Sequence, residues 1–506
     1  MEYVTDMSAK RAELTPDGIA FRDLETGRAW TFVEVDAAAN RFAHALGERG
    51  ISSGERVGIL CQNRPEFFVV LFACLKAGVI LVPLNWRQPS AELAPIVEST
   101  AMRLLIHDAA FAEIAAALAA PGGRATVSLE ADAAGTASFA ALIEAAPGGP
   151  AGDGRRRASD IWYLLHTSGT TGLPKAVIYT FGMAWVNAVN IGQAVDLVSA
   201  DTSLNFLPLF HTAGINLHTL PLFLAGGMSY VTRKFEPEKA LELIGAGQLS
   251  VFFGVPAIYQ SFSLHGDFAA IDFARVRSWG CGGAPLPETL VHLFAGRGAR
   301  ICNGFGMTET GPTVFLMDPA HAEEKIGSVG KAQMLADIRI VGPDNAVVAP
   351  GASGELQIRG PGVTPGYFGS EAATRAAFTD DGWLRTGDVA RTDPDGYTFI
   401  VDRIKDMYIS GGENVYPAEV ERILMAHPDI LEAAVVGVAD EKWGEVGVGF
   451  LLRRPGKPID TERLPTWCRE RLAAYKVPKR FCIVDEFPRT AAGKVRKNIL
   501  KDSLDG

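Results

Sequence analysis

The chain has 506 residues, 48% of them hydrophobic and 21% charged, with a net charge of -10 and a pI of about 5.5. That length exceeds one ordinary core and requires at least two domains. The acidic balance excludes nucleic acid as the main partner, since a phosphate backbone needs a basic stripe.

The first residues, MEYVTDMSAKRAELTPDG, are mixed in charge and lack the apolar stretch of a secretory leader. Cys61, Cys74, Cys281, Cys302, Cys468 and Cys482 form no CxxC pair and no zinc spacing. A reducing, cytoplasmic location is therefore expected. The most apolar run, FFVVLFACLKAGVILVPLNW (Phe67 to Trp86), is almost long enough to span a bilayer, but Lys76, Gly78 and Pro83 interrupt it. It reads as a buried helix to Ala77, a stop at Gly78 and a buried strand VILVPL. LHTLPLFLAGGMSYV (Leu217 to Val231) repeats that pattern. RVGILCQ, RLLIHD, DIWYLLHTS and LSVFFGV read as strands covered on both faces. Between Ala109 and Arg157 an Ala/Gly-rich stretch predicts surface helices and a loose loop, with Arg155 to Arg157 as solvated charges. After Ala336, DIRIV, GELQIRG and GYTFIVDR alternate with turn signals and predict a β subdomain. From Val415 a compact α/β pattern begins, in the size range of a separate small domain.

HTSGTTGLPKAVIYTF (His166 to Phe181) is rich in hydroxyls and glycines and ends in Lys175 and an apolar run. Successive N–H groups in such a turn can cradle an anion. It lacks P-loop spacing, and alone it reads equally well as a surface turn. It is followed, in order, by NGFGMTETGP, WLRTGDVA, VDRIKDMYISGGENVYPAEVE and PRTAAGKVRK. Together these motifs resemble the adenylate-forming superfamily of acyl-CoA synthetases, luciferases and peptide-synthetase adenylation domains. The resemblance covers about Phe21 to Leu500.

The resemblance implies an α/β fold: a large N-terminal domain (1–403) of two α/β sheets plus a β subdomain, then a small mobile α+β domain (404–506). It implies two half-reactions, using ATP, Mg²⁺ and coenzyme A. A carboxylate attacks the α-phosphate of ATP, giving an acyl-adenylate and pyrophosphate; a thiol then displaces AMP. It assigns the β- and γ-phosphates to Thr167, Ser168, Gly169, Thr170, Thr171, Gly172 and Lys175. AMP falls to Gly283, Ala284, Asn303, Gly304, Phe305, Gly306 and Thr308, with Phe305 on the adenine. Glu309 and Thr171 are the expected Mg²⁺ ligands. Asp388 and Arg403 are expected at the ribose, Lys405 at the hinge, and Lys494 as the catalytic lysine of adenylation. The neighbouring Arg489, Arg496 and Lys497 are expected to be ordinary charges.

The same resemblance places His211, in LPLFHTAGINLH, beside the substrate carboxylate. No acid is evident near it to bind an ammonium, which disfavours amino acids. Phe181, Trp185, Val255, Gly282, Gly304, Met307 and Pro312 are the expected pocket walls, apolar or small, suited to an aryl or aliphatic acid. PKAVIYTF departs from the family's usual PKG and histidine: Ala176 and Phe181 stand instead, which marks Phe181 as a candidate for substrate choice. Ser410, Gly411, Gly412, Trp443, Tyr475, Lys476 and Lys479 are expected to meet CoA. A carrier-protein-loading enzyme is the alternative, disfavoured because no carrier domain follows Lys494. The implied partners are small molecules; no integral membrane segment is expected, and a homodimer is left open.

Overall fold

The computed structural model describes residues 2–130, 137–152, 154–167, 174–490 and 494–504. Its first sheet is seven-stranded and mostly parallel at its centre. The strands Ile161–Thr167 and Lys175–Thr180 close one edge as an antiparallel pair. A second, four-stranded ladder contains Ile19–Asp23 and Thr202–Asn205. It is continued towards the strand Val251–Gly254 by a bond from Ser250 N–H to Thr202 O (3.0 Å). Val251–Gly254 opens a five-stranded sheet with Ser278–Cys281 and Ile301–Met307. The expected second sheet is thus drawn as two ladders among the described residues.

The main core lies between the first and second sheets. The helix Pro65–Ala77 runs through it, apolar on every side and therefore buried on every side. It ends as expected at Gly78, whose φ of 69° is the left-handed stop that glycine adopts without strain. Trp162 donates from Nε1 to Leu71 O (2.9 Å), pinning the first sheet to this helix. Lys76 is buried too, and it stays charged-paired: Asp6 and Asp36 each hold Nζ at 2.6 Å.

Two expectations in the Ala-rich stretch are corrected. Ala125–Ser128 is a strand of the first sheet, paired in parallel with Met102–His107. Arg155–Arg157 are not merely solvated charges: they pair with Tyr3–Thr5 as a two-stranded ribbon. Arg156 also caps the end of the buried helix, with Nε 2.7 Å from Leu75 O and NH2 on Lys76 O. A helix end needs such partners for its last carbonyls.

The four-stranded β subdomain is formed by Asp337–Val341, Gly354–Arg359, Leu384–Thr392 and Thr398–Arg403. Beyond it, Ile430–Asp440 and Gly444–Arg453 form the long hairpin of the small domain. One face of that hairpin packs on the helix Pro417–Met425, the other on Phe487 and Leu500. Among the described residues no helix is long and apolar enough to cross a membrane.

Candidate active site

The strands Val251–Gly254, Ser278–Cys281 and Ile301–Met307 run parallel, with Gly254, Cys281 and Asn303 side by side. Their carboxyl ends are where open α/β sheets bind ligands. Val255, Gly282, Gly283 and Ala284 follow these ends, and Gly304 and Phe305 come next after Asn303 in the third strand. Close packing explains the glycines. A Cβ on Gly282 would stand 2.9 Å from Phe253 Cζ and 3.2 Å from Gly304 O. One on Gly306 would stand 2.4 Å from Pro312 O, so the Phe305–Pro312 turn closes only on glycine. Phe305 leans on Phe315 (centroids 6.1 Å apart) and keeps part of its surface open.

Glu309 is buried just after this strand, in the short turn Thr308–Thr310. Tyr367 donates its hydroxyl to Glu309 Oε1 at 2.9 Å, and Lys175 Nζ lies 4.8 Å from the Tyr367 ring centre. Burial, and then the charge of Glu309, push the Tyr367 phenol well up, so it stays a donor. The segment holding Tyr367 is fixed along the edge strand: Ile178 N–H bonds to Gly366 O (3.1 Å) and Phe368 N–H to Ala176 O (2.8 Å). Sequence reasoning missed Tyr367; its only signal was an aromatic residue in a Gly/Pro-rich stretch, PGVTPGYFG.

Asp388 and Arg403 face each other across paired strands, Arg403 Nε to Asp388 Oδ1 at 3.2 Å. Burial raises the Asp388 carboxyl; Arg403 and then Lys494 oppose that rise. Lys494 comes from the far end of the chain, in a turn held by Thr490 N–H to Lys494 O (2.7 Å). It keeps accessible surface in an open cleft, yet protein crowds its ammonium. Lost hydration and repulsion from Arg403 lower its pKa, while Asp388 and Glu309 pull it up. Its charge is also felt at His211, whose pKa falls to about 4, chiefly through burial and then through Arg87 and Lys494. His211 is therefore neutral at neutral pH, and its Nε2 is buried with no protein partner among the described residues. Lys494 thus lies within charge reach of Glu309, Asp388, Arg403 and His211, with Lys405 beside Arg403 and Asp388.

The AMP-binding enzyme family matches residues 8–368, and its C-terminal domain matches residues 419–494. The chain belongs to this family. It is 40% identical to a feruloyl-CoA synthase from Amycolatopsis over 96% of both chains. It is 36% identical to an indoleacetate–CoA ligase from Aromatoleum aromaticum, over 97% of this chain and 96% of that one. The o-succinylbenzoate CoA synthetase of Bacillus subtilis, solved with its acyl-adenylate intermediate, superposes with a TM-score of 0.88 at 31% identity over 99% of both chains. The family member described here is an acid–thiol ligase that forms acyl-CoA by way of an acyl-adenylate.

Ser168, Gly169, Thr170, Thr171 and Gly172 lie outside the described residues; Thr167 and Lys175, which frame them, are paired in the edge hairpin. Phe181 is a correction. It is 1% exposed and packs on Trp162 (centroids 5.1 Å apart) inside the main core, not on a cleft wall. Trp185, one turn on, packs against the same core. The face turned to the Thr308–Pro312 turn carries Asn187 instead: a Cβ on Gly311 would lie 3.3 Å from its Oδ1. Met307 and Pro312 remain partly open beside that turn.

In the small domain, Gly411 packs on the Trp443 ring and bonds to Trp443 O (2.8 Å); Trp443 is 38% exposed. Lys442 and Lys479 stand 5.1 and 5.5 Å from its ring. Ser410 is buried and Gly412 exposed. Tyr475 packs on the small domain's core. Lys476 is not open to a ligand phosphate as expected: Glu419 grips it with both oxygens, at 2.8 and 2.7 Å. Lys497, expected to be an ordinary charge, is also held, by Glu421 at 2.7 Å.

Two outcomes test these placements. Phe181→Ala lowers unfolding free energy in urea by about 3–5 kcal/mol, as for a buried aromatic, while the rank order of acids accepted is unchanged; a reordered acid profile would return Phe181 to the pocket wall. Tyr367→Phe leaves Glu309 without its buried donor and lowers kcat/KM for acid-dependent ATP–pyrophosphate exchange by about tenfold, equivalent to about 1.4 kcal/mol.

Proposed function

We propose that this ligase activates a compact aryl-substituted carboxylic acid with ATP and Mg²⁺ and passes it to coenzyme A. The observation that carries the reading is that Lys494 lies within charge reach of Glu309, Asp388 and His211 at once. There it bridges the acid's carboxylate and the α-phosphate and offsets the charge gathered in the transition state. Lys175 faces the departing pyrophosphate as a mobile point charge. Asp388 accepts from the ribose hydroxyls, Arg403 donates to them, and Phe305 lies along the adenine. Neutral His211 borders the carboxylate without repelling an incoming cationic lysine.

Among the described residues no cluster of three or more His, Cys, Asp or Glu could hold a metal. A single buried carboxylate, Glu309, suits Mg²⁺, which takes one or two carboxylates and fills its shell with phosphate oxygens and water. When bound, Mg²⁺ neutralises phosphate charge.

The acid's walls are apolar and small. The strand Val251–Gly254 is buried except at Phe253, which keeps part of its surface open. A Cβ on Gly280 would stand 2.5 Å from the Phe253 ring, so that ring packs closely against the glycine strand. Phe253, packed over Gly282, and Leu316, packed over Gly304, are the aromatic and apolar surfaces assigned to the acid, and they favour a ring over a long flexible chain. The aromatic acids named for the relatives from Amycolatopsis and Aromatoleum support that choice. Trp443, with Lys442 and Lys479 beside it, offers a stacking face and cations to a nucleotide-bearing thiol, which favours CoA over a carrier protein. The chain turns at Lys405, with a large domain to Arg403 and a small one after it, and the small one re-docks between half-reactions. Its place is the cytoplasm.

The test is a panel of aryl, arylpropenoic and long-chain acids with ATP, Mg²⁺ and CoA, reading AMP and thioester. Aryl acids give thioester with the highest kcat/KM; adenylate without any CoA thioester would favour the carrier-loading alternative. Lys494→Ala abolishes pyrophosphate exchange but leaves thioester formation from preformed adenylate within a fewfold; equal loss of both would remove Lys494 from its role.

A further inference from the structure

Three residues before the proposed hinge, Asp402 is buried, 8% exposed, at the end of the β subdomain's last strand. Its Oδ2 accepts from the N–H of Ala418 at 2.7 Å, and its Oδ1 from its neighbour Arg403 N–H, also at 2.7 Å. Ala418 is in the first turn of the helix Pro417–Met425, whose N–H groups have no partner within the helix. Lys497 is the cation that Asp402 feels most strongly, and it also feels Asp406. Lys497 Nζ is itself bonded to Glu421 of that same helix, and Glu421 is tied to Val435 N–H at 2.8 Å. Burial lifts the Asp402 carboxyl to about 6 and the anionic partners raise Lys497. A charge in such a place is retained only against a specific partner.

With the boundary at Arg403, Asp402 belongs to the large domain, whereas Ala418, Glu421 and Lys497 all belong to the small one. Lys497 is also three residues past Lys494, so whatever holds Lys497 fixes the stalk of the catalytic loop. We infer that Asp402 is a positioning residue: with Lys497 and the start of the helix Pro417–Met425 it forms the latch that docks the small domain with Lys494 in the cleft. Rotation about Lys405 leaves Asp402 behind and carries its partners away, so the latch exists in the adenylate-forming arrangement and not in the thioester-forming one. It therefore serves one half-reaction. The inference rests on the reading of Lys494 and Lys405 given above.

The experiment separates the half-reactions in the full-length chain. Asp402→Asn keeps an oxygen for Ala418 N–H but removes the charge facing Lys497; Lys497→Gln removes the other charge. Each lowers acid-dependent ATP–pyrophosphate exchange by about tenfold, while thioester formation from preformed acyl-adenylate and CoA changes less than twofold. Lys497→Arg, which keeps the cation, retains exchange within about threefold. Equal loss in both half-reactions, or no loss in either, overturns the latch. Thermal unfolding of each variant, read beside the rates, identifies a general loss of structure, which also counts against it. Lys494→Ala in the same assays keeps the two readings apart: if that variant separates the half-reactions and the Asp402 and Lys497 variants do not, only the latch falls.

Discussion

A carboxylate cannot be buried cheaply unless a cation faces it. The cleft of this ligase is organised around that requirement. Glu309 and Asp388 are both nearly inaccessible, and they stand on different structural units: one after a parallel strand of the main sheets, the other in the β subdomain. Arg403 serves Asp388 from the neighbouring strand. Glu309 has the Tyr367 phenol, and its charge is felt by Lys494, near the chain's end. Lys494 thus adds a cation from the small domain to the buried carboxylates of the large one.

The scaffold contributes mainly by being immovable. Lys76 sealed between Asp6 and Asp36, Arg156 on the end of the buried helix, and Trp162 on Leu71 fix the first sheet against its helices. The carboxyl ends of Val251–Gly254, Ser278–Cys281 and Ile301–Met307 are then held in register, so residues with little or no side chain can bring backbone against a ligand. Preorganisation of this kind is what positions reacting groups without a reorganisation cost at the moment of reaction.

Much of this was legible from the residues. The helix that stops at Gly78, the strand after it, the β subdomain and the hairpin of the small domain all lie close to where hydrophobic periodicity and turn residues put them. The motifs named Glu309, Asp388 and Arg403, whose charges Lys494 feels. What escaped has physical reasons. The helix Phe181–Val195 is apolar over most of its surface, so spacing alone could not say which side faces the core; Phe181 and Trp185 turned inward and Asn187 towards the site. Tyr367 and Glu309 are 58 residues apart, and Lys476 and Glu419 are 57 apart; neither pairing has a local signature. A run of arginines reads as solvent-facing until a strand appears opposite it, and Tyr3–Thr5 is too short to announce itself.

The small domain carries two kinds of functional feature. Lys494 is the one that looks into the cleft, while Gly411 and Gly412 remain exposed and Trp443 is bordered by lysines rather than by the large domain. On the proposed roles, the lysine acts at the α-phosphorus and the thiol attacks the adjoining acyl carbon, so the two features act from different orientations. A protein that must exchange them needs docked states of similar stability, and a burial-dominated interface would hold one state too firmly. A small number of buried polar contacts solves this. Such contacts are strong when geometry is complete and lose most of their strength when one partner moves. On the inference drawn above, Asp402, standing just before Lys405 and bonded to Ala418 beyond it, gives the ligase a contact of that type.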